Sequence, residues 1–231
     1  EEDVVVTISH GGFIKRFPVS GYRRQGRGGK GVTGVGTKED DFIEHMFVAS
    51  THQYILFFTD KGKCYWLKVH EVPEGGRTAK GRSIVNLLDK DKDDNITAFV
   101  AVKEFREDQY LIMATEKGTI KKTVLSAYGN VRKGGINAIN LAAGDRLISV
   151  KMTDGKNDIV IGTSHGFAIR FNEKDVRDMG RTATGVRGVR LGKGDHVVGL
   201  LVIRNDQTTV LVVTEKGFGK RSDINDYRIT K

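Results

Sequence analysis

The sequence predicts an all-β fold: a propeller-like disc of four-stranded units, with about five repeats present and the last incomplete. Three observations lead there. A phrase of Ser or Thr, two further residues and Gly recurs at Ser9-His10-Gly11-Gly12, Thr59-Asp60-Lys61-Gly62, Thr115-Glu116-Lys117-Gly118, Thr163-Ser164-His165-Gly166 and Thr214-Glu215-Lys216-Gly217, with its final glycines 50, 56, 48 and 51 residues apart. Each copy lies between two runs rich in Val, Ile, Phe and Tyr, the residues that strands favour. Gly is abundant (29) and Pro scarce (2), which suits a chain of many tight turns.

The elements of one unit follow in order. The strand before the phrase is Val4–Ile8, Tyr54–Phe58, Tyr110–Ala114, Ile159–Gly162 or Thr209–Val213. The phrase is a hairpin turn whose glycine supplies a left-handed residue. The return strand is Phe13–Phe17, Lys63–Leu67, Thr119–Thr123, Phe167–Phe171 or Phe218–Arg221. A basic, glycine-rich loop comes next, at Tyr22–Val35, Val72–Val85, Tyr128–Ile139, Met179–Val189 and, cut short, Tyr227–Lys231. An acid or amide then opens a half-buried strand of alternating apolar residues, at Asp41–Ala49, Asn95–Val102, Asp145–Lys151 and Asp195–Val202. Asp89–Asp94 and Asp154–Asp158 read as solvated turns between units. The repeats fall near residues 4–50, 54–102, 110–152, 159–203 and 209–231, and their stacking predicts one domain over 1–231.

Bulk composition narrows the function classes. A net charge of +9 on 231 residues favours a polyanionic partner. The single cysteine, Cys64, excludes an internal disulfide and a cysteine-based zinc site. No apolar run approaches the ~18 residues of a membrane helix, no signal peptide opens the chain, and the start at Glu1-Glu2 predicts an excised, cytoplasmic domain. His10, His45, His52, His70, His165 and His196 show no metal spacing, and His10 and His165 recur at equivalent turns. No nucleophile–base arrangement stands out, so the domain itself is expected to be non-catalytic, with no metal and no cofactor.

The positive charge follows the repeat. Three and four residues after each hairpin glycine stand Lys15-Arg16, Tyr65-Trp66, Lys121-Lys122, Ile169-Arg170 and Lys220-Arg221. The loops add Arg23, Arg24, Arg27 and Lys30; Arg77, Lys80 and Arg82; Arg132 and Lys133; and Arg181, Arg187 and Arg190. Repeated placement predicts a basic belt on one rim, suited to phosphate contacts with a bending duplex that carry little sequence information. Aromatics do not interleave with the loop cations, which disfavours single-strand stacking. The loop Gln25-Gly26-Arg27-Gly28-Gly29-Lys30-Gly31 is the densest case. Its Gly26-x-Gly28-x-x-Gly31 spacing lacks the strand–helix context of a dinucleotide site, and Gly31 stands where a P-loop needs Ser or Thr. Two readings stay open for it, a phosphate-contacting loop or a plain glycine turn between strands. A protein-binding propeller is the alternative from another class.

Together these residues resemble the C-terminal domain of the DNA gyrase A-subunit over the entire chain. Gln25–Gly31 is similar to that family's box, usually Gln-Arg-Arg-Gly-Gly-Lys-Gly, with Gly26 in place of the first Arg. Arg77–Gly81, Phe171–Glu173 with Asp175–Arg177, Gly180–Val186 and Tyr227–Lys231 also resemble it. The resemblance implies a β-pinwheel whose blades exchange strands and whose rim wraps duplex DNA. It also implies a place in a type IIA topoisomerase of A2B2 composition, with the remainder of the A-subunit and the B-subunit as partners, and bacterial, nucleoid-associated localisation. ATP, Mg2+ and the strand-cleaving tyrosine would belong to other parts of that enzyme, and the isolated domain is expected to be monomeric. The topoisomerase IV A-subunit domain is the near alternative, but its box is degenerate and the one here is nearly complete. The family commonly has six blades, and the chain stops inside a fifth repeat, which predicts a piece of a longer protein.

Overall fold

The computed structural model describes residues 2–21, 41–76, 78–130, 132–205 and 208–230. Its strands are β1 (Asp3–Ser9), β2 (Phe13–Pro18), β3 (Ile43–Ser50), β4 (Tyr54–Thr59), β5 (Lys63–Lys68), β6 (Arg82–Ser83), β7 (Ile96–Val102), β8 (Tyr110–Thr115), β9 (Thr119–Val124), β10 (Ile136–Asn137), β11 (Leu147–Thr153), β12 (Asp158–Thr163), β13 (Ala168–Asn172), β14 (Val186–Arg187), β15 (Val197–Ile203), β16 (Thr209–Val213) and β17 (Gly219–Asp223). Short 3₁₀ turns follow the return strands, and the described residues contain no α-helix.

Five antiparallel sheets form, in the orders β3-β1-β2-β6, β7-β4-β5-β10, β11-β8-β9-β14, β15-β12-β13 and β16-β17. The first three share a feature that four strands within one unit do not predict. Their outermost strand, β6, β10 or β14, is a two-residue segment of the next unit's glycine loop. Each such sheet is completed by its neighbour, as the pinwheel resemblance implies. At the opposite edge β7, β11 and β15 lie against one another, and Phe47 of β3 stacks on Phe99 of β7 at 5.6 Å. The exchanged strands therefore mark the outer edge.

The Ser/Thr-x-x-Gly phrase has a complete local account. The glycine N–H donates back to the Ser or Thr carbonyl, as from Gly62 to Thr59 at 2.9 Å, closing the turn. The same Ser or Thr side-chain oxygen accepts the amide four residues on: Phe13 to Ser9, Lys63 to Thr59, Thr119 to Thr115, Phe167 to Thr163 and Phe218 to Thr214. The glycine φ values at 12, 62, 118, 166 and 217 run from 77° to 89°, the left-handed region that Gly enters without a Cβ clash. The acid that opens the third phrase caps the turn from outside. Asp41, Asp145 and Asp195 accept the amides of Gly11, Lys117 and His165 at 2.8–3.0 Å. In the second unit the polarity reverses, and Asn95 donates its amide to Asp60.

The core lies between sheets. One apolar cluster joins the first two sheets, through residues including Val6, Ile14, Phe57 and Tyr65. A second, with Phe58, Leu111 and Tyr128, joins the second and third, and others follow along the array. A strand between two neighbours is covered on both faces. This is why Ile55, Leu56, Phe57 and Phe58 are all fully buried, a continuous apolar run instead of an alternation. Asp94, expected in a solvated turn, is also buried, with Lys61 Nζ 3.1 Å from its carboxylate.

Candidate nucleic-acid interface

Most of the basic pairs that follow the hairpin glycines are not on an open rim. Lys15, Lys121, Lys122 and Arg170 are buried, and Arg16 is half-buried. Each sits on the outer side of a return strand, and the glycine loop of the next unit folds over it. Lys15 Nζ donates to the carbonyls of Gly76 and Ala79 at 3.0 and 2.7 Å. Lys121 Nζ donates to the carbonyls of Ala138, at 2.5 Å, and Arg181. Arg16 Nε donates to Val72 O, and its backbone pairs with the loop through Pro73 and Gly75.

Lys122 reaches Asp178 at 3.1 Å, and Arg170 pairs with Asp158 while donating to Ile224 O. Buried ammonium and guanidinium groups need such partners, and carbonyls from a crossing loop supply them. The expected belt is corrected here: at these positions the repeated cation staples one unit's loop to the preceding unit's sheet. Lys220 and Arg221 on β17 are exposed.

Burial also changes the chemistry of the staple. It lowers the Lys121 ammonium to about 8, with the Arg181 cation acting in the same direction. Lys15 is lowered for the same reason. The glycines after the staple permit the close approach. A Cβ on Gly81 or Gly185 would stand 2.4 or 2.5 Å from the carbonyl oxygen of Ile14 or Ile120, and both glycines have positive φ.

The second sheet is built differently. Tyr65 and Trp66 occupy the staple positions, Tyr65 is buried, and a Cβ on Gly135 would meet its ring at 2.6 Å. The loop over them is two residues shorter, since Leu125 to Gly135 is 10 positions where Val69 to Gly81 and Glu173 to Gly185 are 12.

The exchanged strands carry or adjoin exposed cations. Arg82 on β6 and Arg187 on β14 are exposed, as are Lys80, Arg132, Lys133 and Arg190. Among the described residues Arg82, Arg132, Lys133 and Arg187 form no ion pair. Lys80 Nζ lies 3.6 Å from the centroid of the Phe13 ring, and Arg181 is half-buried with Nη1 donating to Asn137 O. Arg23, Arg24, Gln25, Arg27, Gly28, Gly29, Lys30 and Gly31, with Arg77, lie outside the described residues. Sequence reasoning missed the turn-capping role of Asp41, Asp145 and Asp195. Their recurrence at the head of the third phrase was the available signal.

Strand exchange between units, with loop cations at the outer edge, is the geometry against which relatives can be compared. The model of the DNA gyrase C-terminal domain, a beta-propeller, matches residues 3–50, 53–102, 109–154, 157–204 and 208–231. The chain belongs to the DNA gyrase C-terminal domain family. It is 48% identical over 232 residues to the DNA gyrase A-subunit of Staphylococcus aureus strains MRSA252 and NCTC 8325, matching all of this chain and 26% of those relatives.

The chain thus spans about a quarter of the length of these curated relatives. Among solved structures, a DNA topoisomerase IV C-terminal domain superposes with a TM-score of 0.81 at 30% identity, covering 99% of this chain and 70% of that one. A DNA gyrase A C-terminal domain superposes with a TM-score of 0.81 at 27% identity, covering 100% and 74%. The gyrase family assignment places the all-β, strand-exchanging architecture among β-pinwheels, and the family match with the 48% identity to gyrase A-subunits disfavours the topoisomerase IV alternative.

Proposed function

We propose that this gyrase-family domain binds duplex DNA along its outer edge and bends it there, as the wrapping element of a bacterial DNA gyrase. The observation that carries the reading is the position of the exchanged strands. β6, β10 and β14 lie at one edge, and each carries or adjoins exposed cations: Lys80 and Arg82, Arg132 and Lys133, Arg187 and Arg190. Cations that recur from unit to unit along one edge match phosphates that recur along a duplex bent to follow it. Bending 20–30 base pairs by 40–90° costs on the order of 1–6 kcal/mol, which several phosphate contacts with counterion release can offset.

The box Gln25–Gly31, with Arg23, Arg24 and Arg77, belongs to the same proposed surface by its sequence, as do Lys220 and Arg221. In this reading the domain does no chemistry. ATP and Mg2+ act elsewhere in an A2B2 enzyme, completed by the rest of the A-subunit together with the B-subunit, in the bacterial cytoplasm. No helix among the described residues is long and apolar enough to cross a membrane.

The test separates exposed from stapling cations. Duplex binding should weaken with salt at a slope of about −0.9 per phosphate neutralised. Arg82→Ala and Arg187→Ala should each reduce that slope by about 1. Absence of duplex binding at low salt, or affinity indifferent to salt, would sink the proposal and favour a protein-binding propeller.

A further inference from the structure

The second, third and fourth units each send a connection across the side of the array that carries the hairpin turns. The three connections begin alike. The amides of Ile84, Ala138 and Gly188 donate to the carbonyls of Gly12, Gly62 and Gly118, the turn glycines of the preceding units, at 2.7–2.9 Å. They also end alike, at Asn95, Asp145 and Asp195, each hydrogen-bonded to its own unit's turn. The turns are linked along the array, since the amides of Leu147 and Val197 donate to Asp60 O and Glu116 O.

Between these fixed points the charge differs. Residues 85–94 of the second unit hold Asp89, Asp91, Asp93 and Asp94 against Lys90 and Lys92. Residues 139–144 of the third hold no charged side chain. Residues 189–194 of the fourth hold Arg190 and Lys193 and no acid. Pairing sharpens the contrast. In the second unit Asp91 meets Lys63 at 3.2 Å, Asp94 meets Lys61 at 3.1 Å, and Lys90 donates to the carbonyls of Asp91 and Asp94. Lys92 is exposed but stands between Asp91 and Asp93. In the fourth unit Arg190 and Lys193 are exposed, and neither side chain has an ion pair or hydrogen bond among the described residues. The acids on the turns that this connection joins are engaged elsewhere, Glu116 by Arg146 at 2.9 Å and Asp195 by Ser164 and the amides of His165 and His196.

Arg187 on β14, Arg190 and Lys193 thus stand three residues apart on a segment that leads from the outer edge onto the turn side. Counted from the glycines Gly81, Gly135 and Gly185, the equivalent positions are Ser83, Asn86 and Asp89 in the second unit and Asn137, Asn140 and Ala143 in the third. Where the fourth unit offers Lys193, the second offers an exposed acid and the third a methyl group.

We propose that a duplex bound along the outer edge leaves that edge at the fourth unit and passes onto the turn side, held there by Lys193, so that its path is inclined to the row of exchanged strands. The inference rests on the DNA reading above and adds a direction and a contact to it. A phosphate gains most from an accessible cation that has no partner, because counterions are then released without breaking an ion pair. On the turn side that condition is met at the fourth unit, is absent at the third, and is opposed at the second by Asp89, Asp91 and Asp93.

The three connections can be probed one at a time, because the single native cysteine, Cys64, is buried. Asn86, Ala142 and Gly192 are exposed, and a Cβ on Gly192 meets nothing within 4 Å. The variants Asn86→Cys, Ala142→Cys and Gly192→Cys, each carrying an iron chelate that cuts nearby DNA, are mixed with a duplex oligonucleotide. Cleavage is expected to be several-fold stronger from position 192 than from 86 or 142. Lys193→Ala should reduce the salt slope of duplex binding by about 1, and Lys92→Ala should leave it unchanged. Equal cleavage from the three positions, or a slope that Lys193→Ala does not move, overturns the inclined path and leaves the edge contacts of Arg82 and Arg187 standing. Failure of the unlabelled protein to bind duplex at low salt overturns the DNA reading and this inference with it.

Discussion

The junction between the third and fourth units and the junction between the second and third solve one problem with opposite chemistry. Both must hold a glycine loop across the outer side of a return strand. At the former, Lys121 reaches two carbonyls, Lys122 reaches Asp178, and a 12-residue step brings a stretch of loop alongside the strand. At the latter, Tyr65 packs against Gly135, and the step from Leu125 to Gly135 is two residues shorter. A cation can satisfy a loop that turns its carbonyls inward, and a ring can support one that presents a bare glycine. The fold therefore depends on covering the strand edge, and loop length decides whether charge or aromatic surface does so.

The comparison breaks most sharply at Lys121. Lys121→Met should cost about 3 kcal/mol in urea unfolding, because the carbonyls of Ala138 and Arg181 both lose the donor that this buried side chain supplies. Lys220→Met, its exposed counterpart in the fifth unit, should stay within about 0.5 kcal/mol. Equal effects would remove the distinction between staple and surface charge.

Glycine substitutions sharpen it further. Gly185→Ala forces both a positive φ and a contact with Ile120 O, and should cost about 2–3 kcal/mol. Gly166→Ala has open space around it, so only the left-handed conformation opposes it, at about 1 kcal/mol. Thermal or denaturant midpoints of the two variants give the ranking.

The pH dependence is smaller. Lys121 is lowered to about 8 by burial, from an ordinary lysine value of 10.5. Between those values the unfolded chain holds a proton that the folded chain has released, so this group's contribution to stability rises with pH across that window. Burial raises Cys64 and Tyr128, whose contributions fall as pH climbs past their unfolded values. The stability difference between wild type and Lys121→Met should therefore widen from pH 8 to 10.5, which isolates the lysine from the opposing pair.

The smallest effect is at acid pH. Burial alone would raise Asp195, but hydrogen bonds from Thr163, His165, Ser164 and His196 outweigh it and hold the carboxyl at about 2. Its contribution is complete above pH 3.8 and is lost as pH falls through about 2. Asp195→Asn should abolish that part of the acid dependence, read from denaturant midpoints at each pH.

Much of the fold was legible along the chain. The hairpins, the left-handed glycines and the acid that opens each third strand are interactions within a few tens of residues, and the repeat displayed them several times. The exposed loop cations were legible too. The burial of Lys15, Lys121, Lys122 and Arg170 was not. Periodic placement implied that the cations share a structural position, yet it could not say what covers that position. The cover arrives from residues about 60 positions later, as Lys15 to Gly76 and Lys121 to Arg181 show.

By itself, then, the sequence determined an array of turn-linked strands with a basic excess tied to the repeat, because turn chemistry and strand pairing are local. Tertiary structure alone decided which cations meet solvent and which become staples. Those outcomes depend on how far one unit's loop reaches over its neighbour, a distance set by loop length and packing between units.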